Sequence, residues 1–383
     1  MIKSKLPGTK PSIFAVMSAL SNKHNAVNLS QGFPDFDLDK ELIDLFNFHL
    51  SAGHNQYAPM TGVPKLRQEI SKKIKNLYGF WYDPELEINI TAGATQALYT
   101  VFNTVINPGD EVILFEPAYD SYIPAIQING GIPVTIPLKL PDYSFDFDEV
   151  ERKISDKTKA IVINSPHNPC GSVLSSENLK DLERIAEKYN LIVISDEVYE
   201  HIVFDNLHHI SLCMSELLAK RSFVISSFGK TFHATGWKVG YVAAPKYLME
   251  EFRKVHQFTV FAVNTPAQFS YADYLSNPEK YLSLNEFYQN KRDFLLKGLS
   301  NTGLIPYKAQ GTYFQLFDYS NISDINDSEF SEKMTIKGGV AVIPLSPFYG
   351  QNYNGKVIRI CFAKKNEVLE EGISRINKFL ESF

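Results

Sequence analysis

Between residues 63 and 245 short, continuously apolar runs alternate with longer stretches in which apolar residues recur at helical spacing. The runs "EINITAG" (87–93), "EVILFEP" (111–117), "KAIVINSP" (159–166), "LIVISDE" (191–197), "SFVISSF" (222–228) and "WKVGYVAAP" (237–245) predict strands. Continuous apolarity predicts strands buried on both faces, as in a parallel sheet. The stretches 63–79, 94–107 and 175–190 predict helices; the second is stopped by Pro108-Gly109-Asp110, and the third opens on Ser-x-Glu ahead of a polar outer face. Strand and helix in alternation predict an α/β fold, with a mainly parallel central sheet covered by helices.

After Pro245 the pattern changes. Helical spacing runs over roughly 246–275 and 278–302, strand-like runs cover 312–320, 340–345 and 356–363, and a helix over 364–383 closes the chain. This predicts a smaller α+β domain reached through a long helix. The expected division is 1–45 as an N-terminal arm with part of the small domain, 46–280 as the large α/β domain, and 281–383 as the C-terminal small α+β domain. Lys3, Lys5 and Lys10 precede an apolar stretch at 13–20, a faint copy of a signal peptide. That stretch is short, Ser18 interrupts it and no A-x-A follows, so it reads as an amphipathic helix.

Composition narrows the function. At 383 residues, 44% hydrophobic and 21% charged, the chain has ordinary globular usage. A net charge of -5 without a basic run gives no footprint for nucleic acid, and no apolar run is long enough for a membrane span. Three widely spaced cysteines, none in C-x-x-C, fit a reducing compartment and predict a cytoplasmic protein.

"SSFGKTFHATGWKVGY" (226–241) contains the Gly-Lys-Thr that ends a phosphate-binding loop. A Walker A loop needs a glycine at 224, where Val224 stands, and the Walker-B-like "IVISDE" (192–197) precedes the triplet. Lys230 therefore needs another role. It lies just past a strand's carboxyl end, where α/β sheets bind ligands, and a lysine in a dry pocket beside other cations loses its proton readily enough to attack a carbonyl cofactor.

Neighbouring strand ends offer the rest of such a site. "TAGATQAL" (91–98) passes from strand to helix at a Gly-Ala-Thr turn whose free amides suit a phosphate, with Thr95, Ser227 and Lys238 to assist. Asp196 ends a strand and can keep a ring nitrogen protonated, whereas alternation turns Glu197 to the opposite face. Tyr199 and Asn168 can donate to a phenolic oxygen, and Tyr119 can stack on a ring.

"NSPHNPCG", "SDEVYEHIVF" and "SSFGKTFHATGWKVGY", in this order and spacing, resemble the pyridoxal-phosphate-dependent aminotransferases of fold type I. "NLSQGFPDFD" (28–37) and "NQYAPMTGVPKLR" (55–67) narrow the resemblance to the branch of the kynurenine and methionine aminotransferases. It covers nearly the whole chain and implies pyridoxal 5'-phosphate as cofactor, with Lys230 holding it and carrying a proton. It further implies Asp196 against the ring nitrogen, Tyr199 and Asn168 on the phenolic oxygen, and Tyr119 on the ring face. Ala94, Thr95, Ser227, Lys238 and Tyr57 of the partner subunit would hold the phosphate, which makes a homodimer with shared sites the expected assembly. Arg359, helped by Asn168 and the backbone of Gly32, would bind the substrate carboxylate, with Phe261 and Phe314 lining an apolar pocket. The expected activity moves an amino group from a large apolar or aromatic amino acid to a 2-oxo acid by a ping-pong mechanism. Its alternatives are kynurenine transamination and β-elimination from cysteine S-conjugates.

Overall fold

The computed structural model describes residues 2–350 and 353–382; Met1, Gln351, Asn352 and Phe383, the last of which closes the expected terminal helix, lie outside them. The strands in chain order are β1 (Val27–Asn28), β2 (Ile88–Thr91), β3 (Glu111–Glu116), β4 (Ile132–Pro137), β5 (Thr158–Asn164), β6 (Ile192–Asp196) and β7 (Ser222–Ser227). There follow β8 (Gly240–Ala243), β9 (Ile305–Pro306), β10 (Phe314–Asp318), β11 (Val340–Ala341), β12 (Ile343–Pro344) and β13 (Val357–Cys361). Seven of them form the central sheet in the order β2-β8-β7-β6-β5-β3-β4. Their side chains alternate between two cores: Val112 and Leu114 pack on one face with Phe102 and Phe252, while Ile113 and Phe115 face the other with Phe145 and Phe147. The mainly parallel α/β architecture is as predicted, with one exception in direction. Strand β8 runs antiparallel to both β7 and β2. The segment between β7 and β8 is spent on a short helix, Phe228–Thr231, and a turn, Thr235–Trp237, instead of a crossover helix, so the chain re-enters the sheet from the end it left.

The second sheet, antiparallel in the order β12-β13-β10-β9, carries the C-terminal strands, and β1 pairs in parallel with β11. The run 340–345 thus divides between two sheets. The helical stretch 246–275 is also divided, into Lys246–Thr259 and Thr265–Leu275, because Asn264 caps the second helix and Pro266 lies in its first turn. The next stretch breaks at Ser283 and ends at Gly298, so no single long helix leads to the C-terminal sheet.

Helices α1 (Ile13–His24), α2 (Lys40–Ser51), α3 (Pro64–Tyr78) and α4 (Ala94–Val105) lie in the first part of the chain. Pro64 occupies the first turn of α3, where its missing N–H costs nothing. The helix predicted at 175–190 runs Ser176–Lys188, and the partner that closes its capping box is Asn178, not Glu177.

Candidate active site

Three adjacent parallel strands end side by side. Asn164 closes β5 opposite Asp196 in β6, and Ser227 closes β7 opposite Gly240 of β8. Above these ends lies a cavity of about 260 Å³ whose walls include Gly32, Ala94, Thr95, Tyr119 and Asn168, as well as Asp196, Tyr199, Ser227, Lys230, Lys238, Phe314 and Arg359. Every residue predicted for the site meets there except Tyr57 and Phe261. Tyr57 is 81% exposed and packs its ring edge-on against Phe261, 5.4 Å between centroids. Neither lines the cavity of its own chain, which corrects the expectation that Phe261 shares a pocket wall with Phe314.

Lys230 Nζ donates to the Gly32 carbonyl at 3.1 Å and to the Tyr313 hydroxyl at 2.9 Å. Loss of water around it brings its pKa down to about 8, a shift that Arg359 and Lys238 reinforce. Asp196 moves the other way. Burial pushes its carboxyl up to about 6, against the pull of the Tyr122 hydroxyl, which donates to Oδ2 at 2.6 Å, and of the Val198 amide, which donates to Oδ1 at 3.3 Å. As strand alternation predicts, Glu197, next in the chain, sits away from the cavity, where the hydroxyl of Ser195 and the amide of Leu212 donate to it and His209 lies 2.9 Å away.

The α4 N-terminus opens on the same space. Its N-cap is Gly93, at φ 81°, which offers no side-chain oxygen to the first amides. A Cβ added there would come within 3.4 Å of Lys238 Nζ, so the lysine's charge stands over the helix end. Gly240 is required for the same approach, since a Cβ would fall 2.7 Å from the Ser226 carbonyl and 3.1 Å from the Ala94 nitrogen. Uncapped amides, the positive end of the helix dipole and a lysine together form a seat for a dianion.

Arg359 projects from the centre of β13 and is completely buried. Its guanidinium donates to Asn168 Oδ1 at 3.1 Å and to the Ser30 carbonyl at 2.8 Å, and lies 3.9 Å from the Phe314 ring centroid. Nε has no partner among the described residues. Asn168 is itself held by its amide donating to Asn164 Oδ1 at 2.8 Å. A buried cation with donors to spare is matched to a carboxylate.

Sequence reading missed Tyr122, Asn164 and Tyr313. For Asn164 the signal was available, since it ends a predicted strand within "NSPHNPCG". The two tyrosines are hidden among 20 tyrosines and 27 phenylalanines, and only the tertiary fold brings them to Asp196 and Lys230.

Comparison with known proteins gives the chain's family. The family described as aminotransferase class I and II matches residues 24–376. The chain is 46% identical to methionine aminotransferase of Escherichia coli over 98% of each chain, and 33% identical to human kynurenine–oxoglutarate transaminase 1 over 94% of each. The crystal structure of an Escherichia coli protein with a methionine aminotransferase function superposes with a TM-score of 0.96 at 45% identity, covering 99% of both chains. The chain therefore belongs to the class I and II aminotransferases and has their fold type I architecture.

Proposed function

We propose that the chain uses pyridoxal 5'-phosphate to move an amino group from methionine-like or aromatic amino acids to a 2-oxo acid, in a ping-pong cycle. The observation that carries the reading is the convergence on one cavity of a lysine with a lowered pKa, a buried carboxylate, an uncapped helix N-terminus and a buried arginine. The donor set fits the cofactor. Among the described residues Asp196 has no cationic hydrogen-bond partner, a role a protonated ring nitrogen would fill, and the α4 amides with Lys238 match a phosphate. Tyr199 and Asn168 would take the phenolic oxygen, Tyr119 the ring face, and Ala94, Thr95, Ser227 and Tyr57 of the partner subunit the phosphate. When bound, the cofactor supplies a carbonyl carbon that accepts an amine and a ring that accepts the electron pair released at the substrate α-carbon.

The protein's own work is positional and protonic. Arg359, with Asn168 beside it, grips the α-carboxylate and fixes the substrate's orientation. Lys230 Nζ takes the proton from the α-carbon and delivers it to the acceptor carbon. Asp196 holds the ring nitrogen's proton in place. Phe14, Leu98 and Phe314 give the cavity apolar walls, and Arg359 is the one arginine among its described lining residues, which supports donors without a second carboxylate. Exposed Tyr57 and Phe261, outside their own chain's cavity, support a homodimer in which each lends Tyr57 to its neighbour. A cytoplasmic location accords with three buried free cysteines, and among the described residues no helix is long and apolar enough to cross a membrane.

Steady-state kinetics with methionine, phenylalanine, kynurenine and aspartate as donors test the reading. Methionine and phenylalanine are expected to exceed aspartate in kcat/KM by about a hundredfold or more, since an unpaired buried charge costs about 3–5 kcal/mol. A preference for aspartate would overturn the substrate class. Pyruvate and ammonia released from a cysteine S-conjugate faster than transamination would reassign the chain to β-elimination.

A further inference from the structure

Tyr313 is completely buried at the entrance to β10, one residue before Phe314. Its hydroxyl accepts from Lys230 Nζ at 2.9 Å and donates to the Gly32 carbonyl at 2.7 Å, while Nζ donates to that same carbonyl at 3.1 Å. The three groups form a closed triangle. Its two oxygens are the only acceptors Nζ has among the described residues. The arrangement ties Lys230, just beyond the central sheet, to the turn after β1 and to the residue that leads into β10 of the C-terminal sheet. Burial, with Tyr199, Cys361 and Tyr288 alongside, drives the Tyr313 phenol well above its ordinary pKa, so it keeps the proton that it donates to the Gly32 carbonyl.

We propose that Tyr313 is a positioning residue which, with the Gly32 carbonyl, seats the Lys230 ammonium whenever Nζ is free of the cofactor. The inference rests on the reading of Lys230 as the cofactor lysine. In the step it would serve, the α-carbon–hydrogen bond would break and its proton would bind the Nζ lone pair, the bound cofactor supplying the acceptor for the electron pair. That same N–H bond later breaks as the proton is returned to carbon. The phenolic O–H bond stays intact throughout. The two acceptors lower the energy of the ammonium, keep its proton out of solvent and aim it back toward the cavity.

The test compares Tyr313→Phe with Tyr288→Phe, whose hydroxyl is also buried and has no partner among the described residues, and whose ring lies 5.7 Å from that of Tyr313. In cofactor-free protein, the Lys230 amine is titrated by its rate of acylation across pH, with the modified peptide identified by mass spectrometry. Tyr313→Phe is expected to lower the midpoint by about one pH unit, through loss of one hydrogen bond to a charged donor, and Tyr288→Phe to leave it unchanged. In the cofactor-loaded enzyme, Tyr313→Phe should cut kcat about tenfold and enlarge the isotope effect with α-deuterated methionine, with KM little altered. An unchanged midpoint, or the same shift in both variants, overturns the proposal. Should Tyr313→Phe fail to fold, the wild-type chain still decides: the tyrosine ring-carbon NMR signal of Tyr313 must follow the Lys230 titration, and a flat signal refutes the contact. Borohydride reduction with cofactor separates the two readings. Label on Lys230 with an unmoved midpoint sinks the role of Tyr313 alone, whereas no label on Lys230 in the wild type sinks both.

Discussion

At the scale of single residues, Asp196 and Lys230 are each held away from their ordinary protonation behaviour, and both shifts have consequences outside catalysis. Burial raises the Asp196 pKa from 3.8 to about 6 in the cofactor-free chain. A raised folded-state pKa contributes stability that is complete below the unfolded value and is lost as pH rises through about 6. Asp196→Asn is therefore expected to unfold at a higher temperature than the parent at pH 8 when cofactor-free, by up to about 3 kcal/mol, with the gain vanishing near pH 4. With cofactor the sign reverses, because the carboxylate then faces a cation, and affinity should fall about a hundredfold or more. Calorimetry with and without cofactor reads both. For Lys230, whose pKa is brought down to about 8, the reactive species is the neutral amine. Cofactor attachment should slow about tenfold per pH unit below 8 and level off above it, which stopped-flow absorbance follows directly. A rate independent of pH would contradict the role given to this amine.

At the scale of elements, the ends of β6 and β7 are anchored from beneath by a buried charge network. Lys73 of α3 donates to Glu200 Oε1 at 2.5 Å, Ser226 donates to the same oxygen at 2.7 Å, and Tyr78 donates to Oε2 at 2.6 Å. Neighbouring charge holds Glu200 ionised despite its burial, the chief partner being Lys73. Removing one partner leaves an uncompensated charge, so Lys73→Met should cost about 3–5 kcal/mol in denaturant unfolding, and the double change Lys73→Met with Glu200→Gln much less. Additive losses would show that the two groups do not act as a pair. No sequence pattern joins residues so far apart, although the elements that carry them were legible from apolar periodicity. Strand β4 escaped notice for a different reason. It follows Gly130-Gly131 and contains Pro133 and Pro137, the signature of a loop. Its place at the sheet's edge, paired only with β3, is where proline is tolerated. The break at 260–264 was written in "NTP" (264–266), a cap followed by proline, and helical periodicity on both sides concealed it.

At the scale of the whole molecule, most of the cavity was readable because its parts sit at strand ends and in short linked motifs, whereas Tyr57 and Phe261 are exposed and lie outside the cavity of their own chain. The proposed shared-site homodimer makes a specific prediction. Lys230→Ala and Tyr57→Ala chains should each be impaired alone, and a heterodimer of the two should recover one intact site, since both lesions fall in the other. Activity regained on mixing and reassembly supports the shared site; no recovery despite heterodimer formation contradicts it. On the proposed function one amine, Lys230, carries the cofactor at the carboxyl ends of the parallel strands. Reducing the purified protein with borohydride in the presence of pyridoxal 5'-phosphate, then mapping the modified peptide, tests it most directly. The expected result is a stable adduct on Lys230, reduced in yield when methionine is added first; an adduct confined to other lysines, with a Lys230→Ala variant that still transaminates, would contradict it.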